Sequence, residues 1–592
     1  MRIGDVERLT GLKKKTIRLY EEKGLLSVER AENSYREYDD AVVARLKTIA
    51  LLRRAGIPLM DIQLWQDRVI SADEMLQKRL LALKNNADRA AGQERLCAVL
   101  LEHIEDGFMN IPPELVAVDA EADINVTESE TDDEVLSFTD QPCCVGIDIG
   151  TTTVCAYVLR LPDGVPVGIY NIRNSSDLQS QFQGDKRQDA KLLYDRVLRL
   201  TDALLRRYPT IRSIGFTGQM HGILCTDAVG DALTPLYTWQ DQRAGIGEHS
   251  AVDEIFEKTG CRVAAGYGIA TFYALAREGH VPAETARICT VMDFIASKLC
   301  GQKVEAMHTT NAASLGLYDF ARGFDTEALK KIGIDPSFLP KVVDKPIVVS
   351  KYKDVPVIIP IGDNQASFLG SVKDHRTTVL ANFGTGSQIS LFANGNIKAC
   401  DGSSVEARPF MGGGYLISGS ALCGGRAYAM LEQFFRKFVV AAGGEDKEQY
   451  ATLNRLAAEG LDAEESDGRL LVKTTFCGTR DDPEKTGAVF GIKEGSLTPG
   501  ALAVGVLRGM VQELYSMYEK IPHGQMTQLV ASGNAIRRNP VLCRVLSEVF
   551  GMPVLVPAER EEAAFGAAMF AALGAECVKN AHELSCWIRY RN

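Results

Sequence analysis

The chain has 592 residues, 24% of them charged and 46% hydrophobic, the balance of soluble globular protein. At about 150 residues per domain, this length suggests about four units, each with room for its own core. With 77 acidic against 66 basic residues the net charge is −11, which excludes a globally basic nucleic-acid binder but not one basic module. The 14 cysteines form no C-x-x-C and no Cys/His cluster at zinc spacing, so thiols reduced in a cytoplasm are expected rather than structural zinc. The polar opening MRIGDVERLTGLKKKT lacks the apolar core of a signal peptide. The longest uncharged small-apolar run, residues 563–575, is too short to span a bilayer, so no membrane partner is expected.

Residues 1–60 hold 13 Lys/Arg against nine Asp/Glu, a local excess of positive charge. Ile3, Val6 and Leu9 form an apolar stripe, Thr10-Gly11 a turn, and Leu12 re-enters a core, which reads as helix, turn, helix. Lys13, Lys14, Lys15, Thr16 and Arg18 then line the start of the second helix. Such a cation cluster at a helix N-terminus suits phosphate contact and entry into a major groove, although a triple lysine alone is as well explained by a solvated face. A two-stranded wing is expected around residues 31–34, flanked by Arg30 and Arg36. From Glu74 onward a long helix is predicted, in which Leu76, Leu80, Leu83, Ala87 and Ala90 form a seam. That seam fits either one face of a monomeric bundle or a contact with a second helix.

The order of I-G-D-V-x-x-x-T-G, K-T-I-R-x-Y-E-E-K-G-L-L, N-S-Y-R-E-Y-D and L-L-R-R-A-G-I-P-L-x-D-I strongly resembles the DNA-binding region of MerR-type transcription regulators, over about residues 1–70. The resemblance implies a winged helix-turn-helix that contacts double-stranded promoter DNA through Lys13, Lys15, Thr16, Arg18, Tyr20, Tyr35 and Arg36, mostly at phosphates. It also implies a dimerisation helix over 74–104 and hence a homodimer. Metal-sensing relatives carry cysteines beyond that helix, whereas only Cys97 lies nearby here.

Residues 119–140 contain nine acidic residues and no basic one, which predicts a solvated, self-repelling linker. Beyond it, strand-like runs alternate with helical patterns, the mark of an α/β architecture. No G-x-x-x-x-G-K-[ST] occurs, so a Walker-type phosphate loop is excluded. Two other glycine/hydroxyl turns follow apolar strands: Asp148-Ile149-Gly150-Thr151-Thr152 and Asn382-Phe383-Gly384-Thr385-Gly386-Ser387. Each is either a tight turn or a phosphate cradle, since glycine lets backbone N–H groups approach a phosphate closely. Asp148 is placed to hold Mg²⁺ through water. Asp363, on the turn after VPVIIPIG, is either a turn-forming aspartate or a base for a hydroxyl acceptor. Gln219, Met220 and His221 follow another strand, and Trp239 and Asp241 supply an aromatic plate beside a carboxylate, a combination suited to a polyol.

In this order, D-I-G-T-T, G-Q-M-H-G, W-Q-D, G-D-N, F-G-T-G-S, F-C-G-T-R-x-x-P and E-A-A-x-G-A-A resemble the FGGY family of carbohydrate kinases over about residues 142–575, the sedoheptulokinases first and the xylulokinases next. The resemblance implies two actin-like (ribonuclease-H-like) domains, with ATP and Mg²⁺ in the cleft between them and a ketose at its deep end. It makes Asp363 the general base and a magnesium-side carboxylate with Asp148. Gln219, Met220, His221, Trp239, Asp241 and Asn364 would surround the sugar. Gly150, Thr151, Thr152, Gly384, Thr385, Gly386, Ser387, Gly533 and Asn534 would surround the nucleotide. Many family members have two glycines where this chain has Ser532-Gly533, which suggests a narrower adenine site.

The expected organisation is a DNA-binding domain at 1–70, a dimerisation helix at 71–106, an acidic linker at 107–141, and kinase domains at 142–375 and 376–592. Function then falls between an active ketose kinase fused to a regulator head and a sugar-responsive regulator that keeps a silent kinase fold as its sensor.

Overall fold

The computed structural model describes residues 1–26, 29–30, 36–84, 91–102, 104–105, 108–109, 141–180, 182, 184–394, 405–463, 469–479, 482 and 484–591. Helix α1 (Ile3–Thr10) ends on Gly11, whose φ of 70° supplies the left-handed cap, and α2 (Lys14–Glu22) follows after three residues. The wing strands β1 (Glu29–Arg30) and β2 (Arg36–Glu37) pair antiparallel, with Arg30 opposite Arg36. Asp39 then caps α3 (Asp40–Arg54) by accepting from the Val42 N–H at 2.7 Å, and Pro58 precedes α4 (Leu59–Gln66). Val6, Leu12, Ile17, Leu25 and Leu46 fill the space between these helices.

Lys13, just before α2, and Lys15 and Arg18 on it are exposed, and Thr16 is half-buried. Tyr20 departs from the expectation. It is 2% exposed, because at this register of α2 its ring faces inward with Ile17 and becomes part of the head's core. Tyr35 and the wing turn lie outside the described residues, and Arg36 is described only as a strand position.

The segment expected as one helix over 74–104 is two: α5 (Ala72–Lys84) and α6 (Ala91–Leu101), packed on each other. Arg79 donates to the Gln93 side chain at 2.8 Å, and Cys97 and Leu100 are buried alongside Leu76 and Leu83. The apolar seam thus meets a partner inside its own chain, which a periodicity cannot distinguish from a partner in another chain. Leu81, on the other side of α5, stays 60% exposed. Within the expected linker, residues 110–140 lie outside the described residues.

The body contains two six-stranded mixed sheets of matching design. In the first, β3 (Cys143–Ile149) turns at Gly150–Thr152 into β4 (Thr153–Arg160), which hairpins to β5 (Pro166–Arg173) at the sheet edge. Strand β6 (Ile211–Gly218) joins β3 in parallel, and the antiparallel pair β7 (Val348–Tyr352) and β8 (Val355–Ile358) completes the order β7-β8-β6-β3-β4-β5. The second sheet repeats the motif. Strand β9 (Thr378–Phe383) turns at Gly384–Gly386 into β10 (Ser387–Ala393), with β11 (Val405–Pro409) and β12 (Tyr415–Ala421) beyond it, and β13 (Gln528–Ser532) and β14 (Val554–Leu555) on its parallel side.

Asp189 caps the amphipathic helix α7 (Ala190–Arg207), which buries Leu193, Val197, Leu200 and Leu204 in the first lobe. The lobes meet where α8 (Asp363–Ser371) packs against α12 (Glu562–Gly574). The small residues of Glu562–Ala568 serve this packing: a Cβ on Gly146 of β3 would lie 2.2 Å from the Ala564 carbonyl oxygen. Helix α12 therefore lies against the first sheet, and the boundary at 376 does not confine the C-terminal residues to the second lobe.

The head is docked on the first lobe despite the long acidic segment. Arg207, at the end of α7, donates to the Lys23 carbonyl at 2.7 Å and to the Gln63 side chain. Arg196 pairs with Glu74 of α5 at 2.6 Å, and Ser175 also donates to Glu74, at 3.3 Å. Buried apolar residues of head and lobe join in one continuous cluster. A buried arginine that satisfies a carbonyl and an amide is costly to remove, by about 1.5–3 kcal/mol for bonds to charged groups. Arg207→Ala is expected to speed release of the head in limited proteolysis; cleavage at the wild-type rate would mean that this contact does not hold it.

Candidate active site

Asp148 ends a strand buried on both faces, and Asp363 opens α8 directly after the apolar strand β8 and its Pro360–Gly362 exit. Although 215 positions apart in the numbering, the two carboxylates line the same cleft, of about 400 Å³. Burial pushes Asp148 up to about 8, and the charges of Asp363 and Glu561 add to it. Burial raises Asp363 to about 6, opposed chiefly by the Arg408 guanidinium. Two carboxylates pushed toward protonation by burial in one cleft fit a divalent cation, whose charge would offset the cost of that burial. Among the described residues no three His, Cys, Asp or Glu side chains converge, so such an ion would draw its remaining ligands from water and phosphate, as magnesium does.

The turn Gly150–Thr152 is clasped from behind. Asn174 donates to the Gly150 carbonyl and Gln188 to the Thr151 carbonyl, both at 2.7 Å. The Thr151 hydroxyl accepts from the Trp239 indole at 3.1 Å and donates to Gln219 at 3.4 Å. Trp239 is 47% exposed and lines the cleft, so one side chain connects the phosphate turn to the expected sugar site.

Met220, His221, Trp239 and Asn364 line the cleft as expected. His221, held at φ 71°, sets Nδ1 2.7 Å from the Ser314 carbonyl oxygen and stacks on Tyr267 at 4.6 Å between ring centroids. A carbonyl can only accept, so Nδ1 of the ring carries a proton. Gln219 does not reach the cleft: it is 3% exposed and donates to Gln188 at 2.8 Å. Asp241 does not either. It is fully buried, accepting from Arg243 at 2.7 Å and from the Lys186 N–H at 3.1 Å. Both residues hold the loops that present Thr151 and Trp239, because their polar groups find protein partners before a ligand. Asn364 reaches across to the second lobe, donating to Gln388 at 2.7 Å.

In the second lobe, the carbonyls of Gly384 and Thr385 accept from the N–H groups of Gly425 and Gly424 at 2.9 and 3.1 Å. These N–H groups open α9 (Gly425–Ala441), which packs on α10 (Pro499–Tyr518), and Gly384 and Thr385 are left exposed at the turn. Ser387 is buried at the start of β10 and so lies behind the turn rather than on it. Ser532 is also buried, accepting from Asn382 at 2.9 Å, which directs its hydroxyl into the sheet instead of narrowing a ligand site. Gly533 caps the short helix α11 (Asn534–Arg538) at φ 95°, and a Cβ there would lie 2.5 Å from the Phe383 carbonyl oxygen.

Sequence reasoning missed Arg408, Gln388 and Ser390, which face the cleft from the second sheet, and the clasp residues Asn174 and Gln188. Gln388 and Ser390 follow a glycine turn but lie on the strand beyond it, and Arg408, Asn174 and Gln188 carry no local signal, so only their tertiary position marks them.

Two duplicated lobes that close phosphate-type turns over a shared pair of carboxylates define a phosphotransferase of the actin-like class. The chain belongs to the FGGY family of carbohydrate kinases, whose N-terminal domain matches residues 143–370 and whose C-terminal domain matches residues 383–575. Residues 1–68 match the MerR HTH family regulatory protein. A sedoheptulokinase of Mus musculus is 26% identical over 468 residues, covering 72% of this chain and 97% of its own. A xylulose kinase of Staphylococcus xylosus is 23% identical over 477 residues, covering 75% and 94%. Among solved structures, a ligand-bound xylulose kinase and a gluconate kinase, both of Lactobacillus acidophilus, share the fold with TM-scores of 0.66 and 0.67 at 19% identity, each covering 76% of this chain and 93% of its own. No helix among the described residues is long and apolar enough to cross a membrane.

The close approach at Gly533 yields a direct test. Gly533→Ala combines a disfavoured backbone with a clash against a strand, about 1–3 kcal/mol of strain. It should weaken ADP binding measured by calorimetry while circular dichroism is unchanged; wild-type affinity would remove this turn from the nucleotide site.

Proposed function

We propose that the protein transfers a phosphoryl group from Mg-ATP to the terminal hydroxyl of a ketose, sedoheptulose first and xylulose next, and that residues 1–70 bind promoter DNA. The observation that carries the kinase reading is the meeting of Asp148 and Asp363 in one cleft between lobes. The matched sedoheptulokinases and xylulose kinases support the ketose. Magnesium, when bound beside Asp148, would offset charge on the triphosphate. The sugar stacks on Trp239 and exchanges hydroxyl hydrogen bonds with His221 and Asn364. Its terminal hydroxyl loses a proton to Asp363 as its oxygen bonds to the γ-phosphorus. The bond from that phosphorus to the bridging oxygen breaks, and ADP leaves with the electron pair.

A panel of ketoses in a coupled ADP assay tests this reading. Asp363→Asn should lower turnover about 10²–10⁴-fold, the range for loss of a positioned base. Because the base must be ionised and burial raises its pKa to about 6, kcat/KM should rise with pH through that region. Full turnover in Asp363→Asn would end the assignment of the base.

One observation favours a second reading, in which the kinase fold reports sugar to the head. Glu74 of the head accepts from Ser175, the neighbour of the Asn174 that clasps the Gly150 turn. A head that reads a palindromic site also needs two copies, so a homodimer through residues 74–104 belongs to this reading. Affinity for promoter DNA should fall steeply with salt, as phosphate contacts by Lys13, Lys15 and Arg18 imply. Ketose with Mg-ADP should change that affinity about 5–150-fold, the usual span of coupled sites. Equal affinity with and without these ligands would leave the head and the kinase as independent functions.

A further inference from the structure

The geometry points to Arg408 as a catalytic residue of the phosphoryl transfer, meeting the transferred group from the second lobe. This inference rests on the kinase reading above. Asp148 and Asp363 enter the cleft from the first lobe, and the incoming phosphoryl group brings further negative charge between them. Neither glycine/hydroxyl turn supplies a compensating side chain: D-I-G-T-T-T-V-C and N-F-G-T-G-S-Q contain no Lys or Arg. Among the described residues that line the cleft, Arg408 on β11 carries the one permanent positive charge.

Other arginines near the turns are turned elsewhere. Arg243 pairs with Asp241 at 2.7 Å and with Asp185 at 3.0 Å, and Arg426 donates to the Cys477 sulfur at 3.6 Å. Arg408, by contrast, is held with its head group in the cleft. Its Nη2 donates to Glu406 at 3.0 Å and its Nε to the same oxygen at 3.4 Å, with the side chain only 12% exposed. Glu406 accepts in turn from the Tyr267 hydroxyl at 3.3 Å, and Tyr267 is the ring on which His221 stacks. The guanidinium is therefore fixed by a strap that runs from the second lobe to the sugar side of the first. A guanidinium so fixed needs no reorganisation when charge spreads over the equatorial phosphoryl oxygens, and its planar fork suits them. As the hydroxyl oxygen bonds to phosphorus and the bridging bond breaks, Arg408 donates to those oxygens while Asp363 takes the proton.

Steady-state kinetics of the full-length protein with a ketose and Mg-ATP test the assignment. Arg408→Ala should lower kcat about 10²–10³-fold, as loss of one preorganised donor does, and leave the KM for the ketose within about threefold. Added guanidinium ion should restore part of that kcat, a response that a residue needed only for folding would not give. Glu406→Gln, which keeps the Arg408 guanidinium but removes the carboxylate charge that holds it, should lower kcat about tenfold and carries the test if Arg408→Ala does not fold. A rise in ketose KM with kcat unchanged would make Arg408 a reader of the sugar and overturn the assignment. So would unchanged kcat in both variants. Absence of turnover by the wild-type protein on every ketose would instead refute the kinase reading on which the inference rests.

Discussion

The burial of two carboxylates in one cleft is the constraint around which the body is organised. Asp148 and Asp363 are drawn from water by strands and helices that have no other means of reaching the cleft, and burial raises both pKa values. Two such groups are tolerated only where a cation or a proton completes the site. The lobes are the means of keeping them there. Helix α12 packs on the first sheet at backbone distance, and Asn364 and Tyr267 reach from the first lobe to Gln388 and Glu406 of the second. These cross-lobe bonds fix the width of the cleft, so the chemistry and the domain packing rest on the same few side chains.

Polar residues around the cleft fall into two populations. Met220, His221 and Trp239 present atoms to it, whereas Gln219, Asp241, Asn174 and Gln188 exhaust their hydrogen bonds on the loops behind. The second group is what makes the first rigid. An exposed Gly-Thr turn would otherwise be free to adopt several conformations, and its carbonyls are held by Asn174 and Gln188 at 2.7 Å. The tryptophan that lines the cleft is tied to the same turn through Thr151.

The head is attached through more than its linker. Arg196 and Arg207 of α7 and Ser175, just past the edge strand β5, bind it to the first lobe. A long acidic tether implies independence only when the folded units bury nothing between them, and here their apolar cores are continuous. The seam that periodicity marks on α5 is likewise closed inside the chain by α6.

By itself the sequence determined the order of the units, the helix-turn-helix, the two duplicated lobes and the pair of aspartates, because these depend on local signals: glycine turns after apolar strands, cation clusters, and spacing within a segment. It also marked His221 and Trp239, whose side chains follow short turns that present them outward. What only the tertiary structure decided were the relations between segments. Tyr20, Gln219 and Asp241 look available in a one-dimensional reading, but they are buried against partners up to tens of positions away or at an inward register. Arg408 carries no local mark, since a single arginine in a strand becomes part of a site only when another lobe places a carboxylate opposite it. Docking of the head escaped detection for the same reason: its bonds join surface arginines of one unit to carbonyl, amide and carboxylate groups of another, and no periodicity records such a pairing.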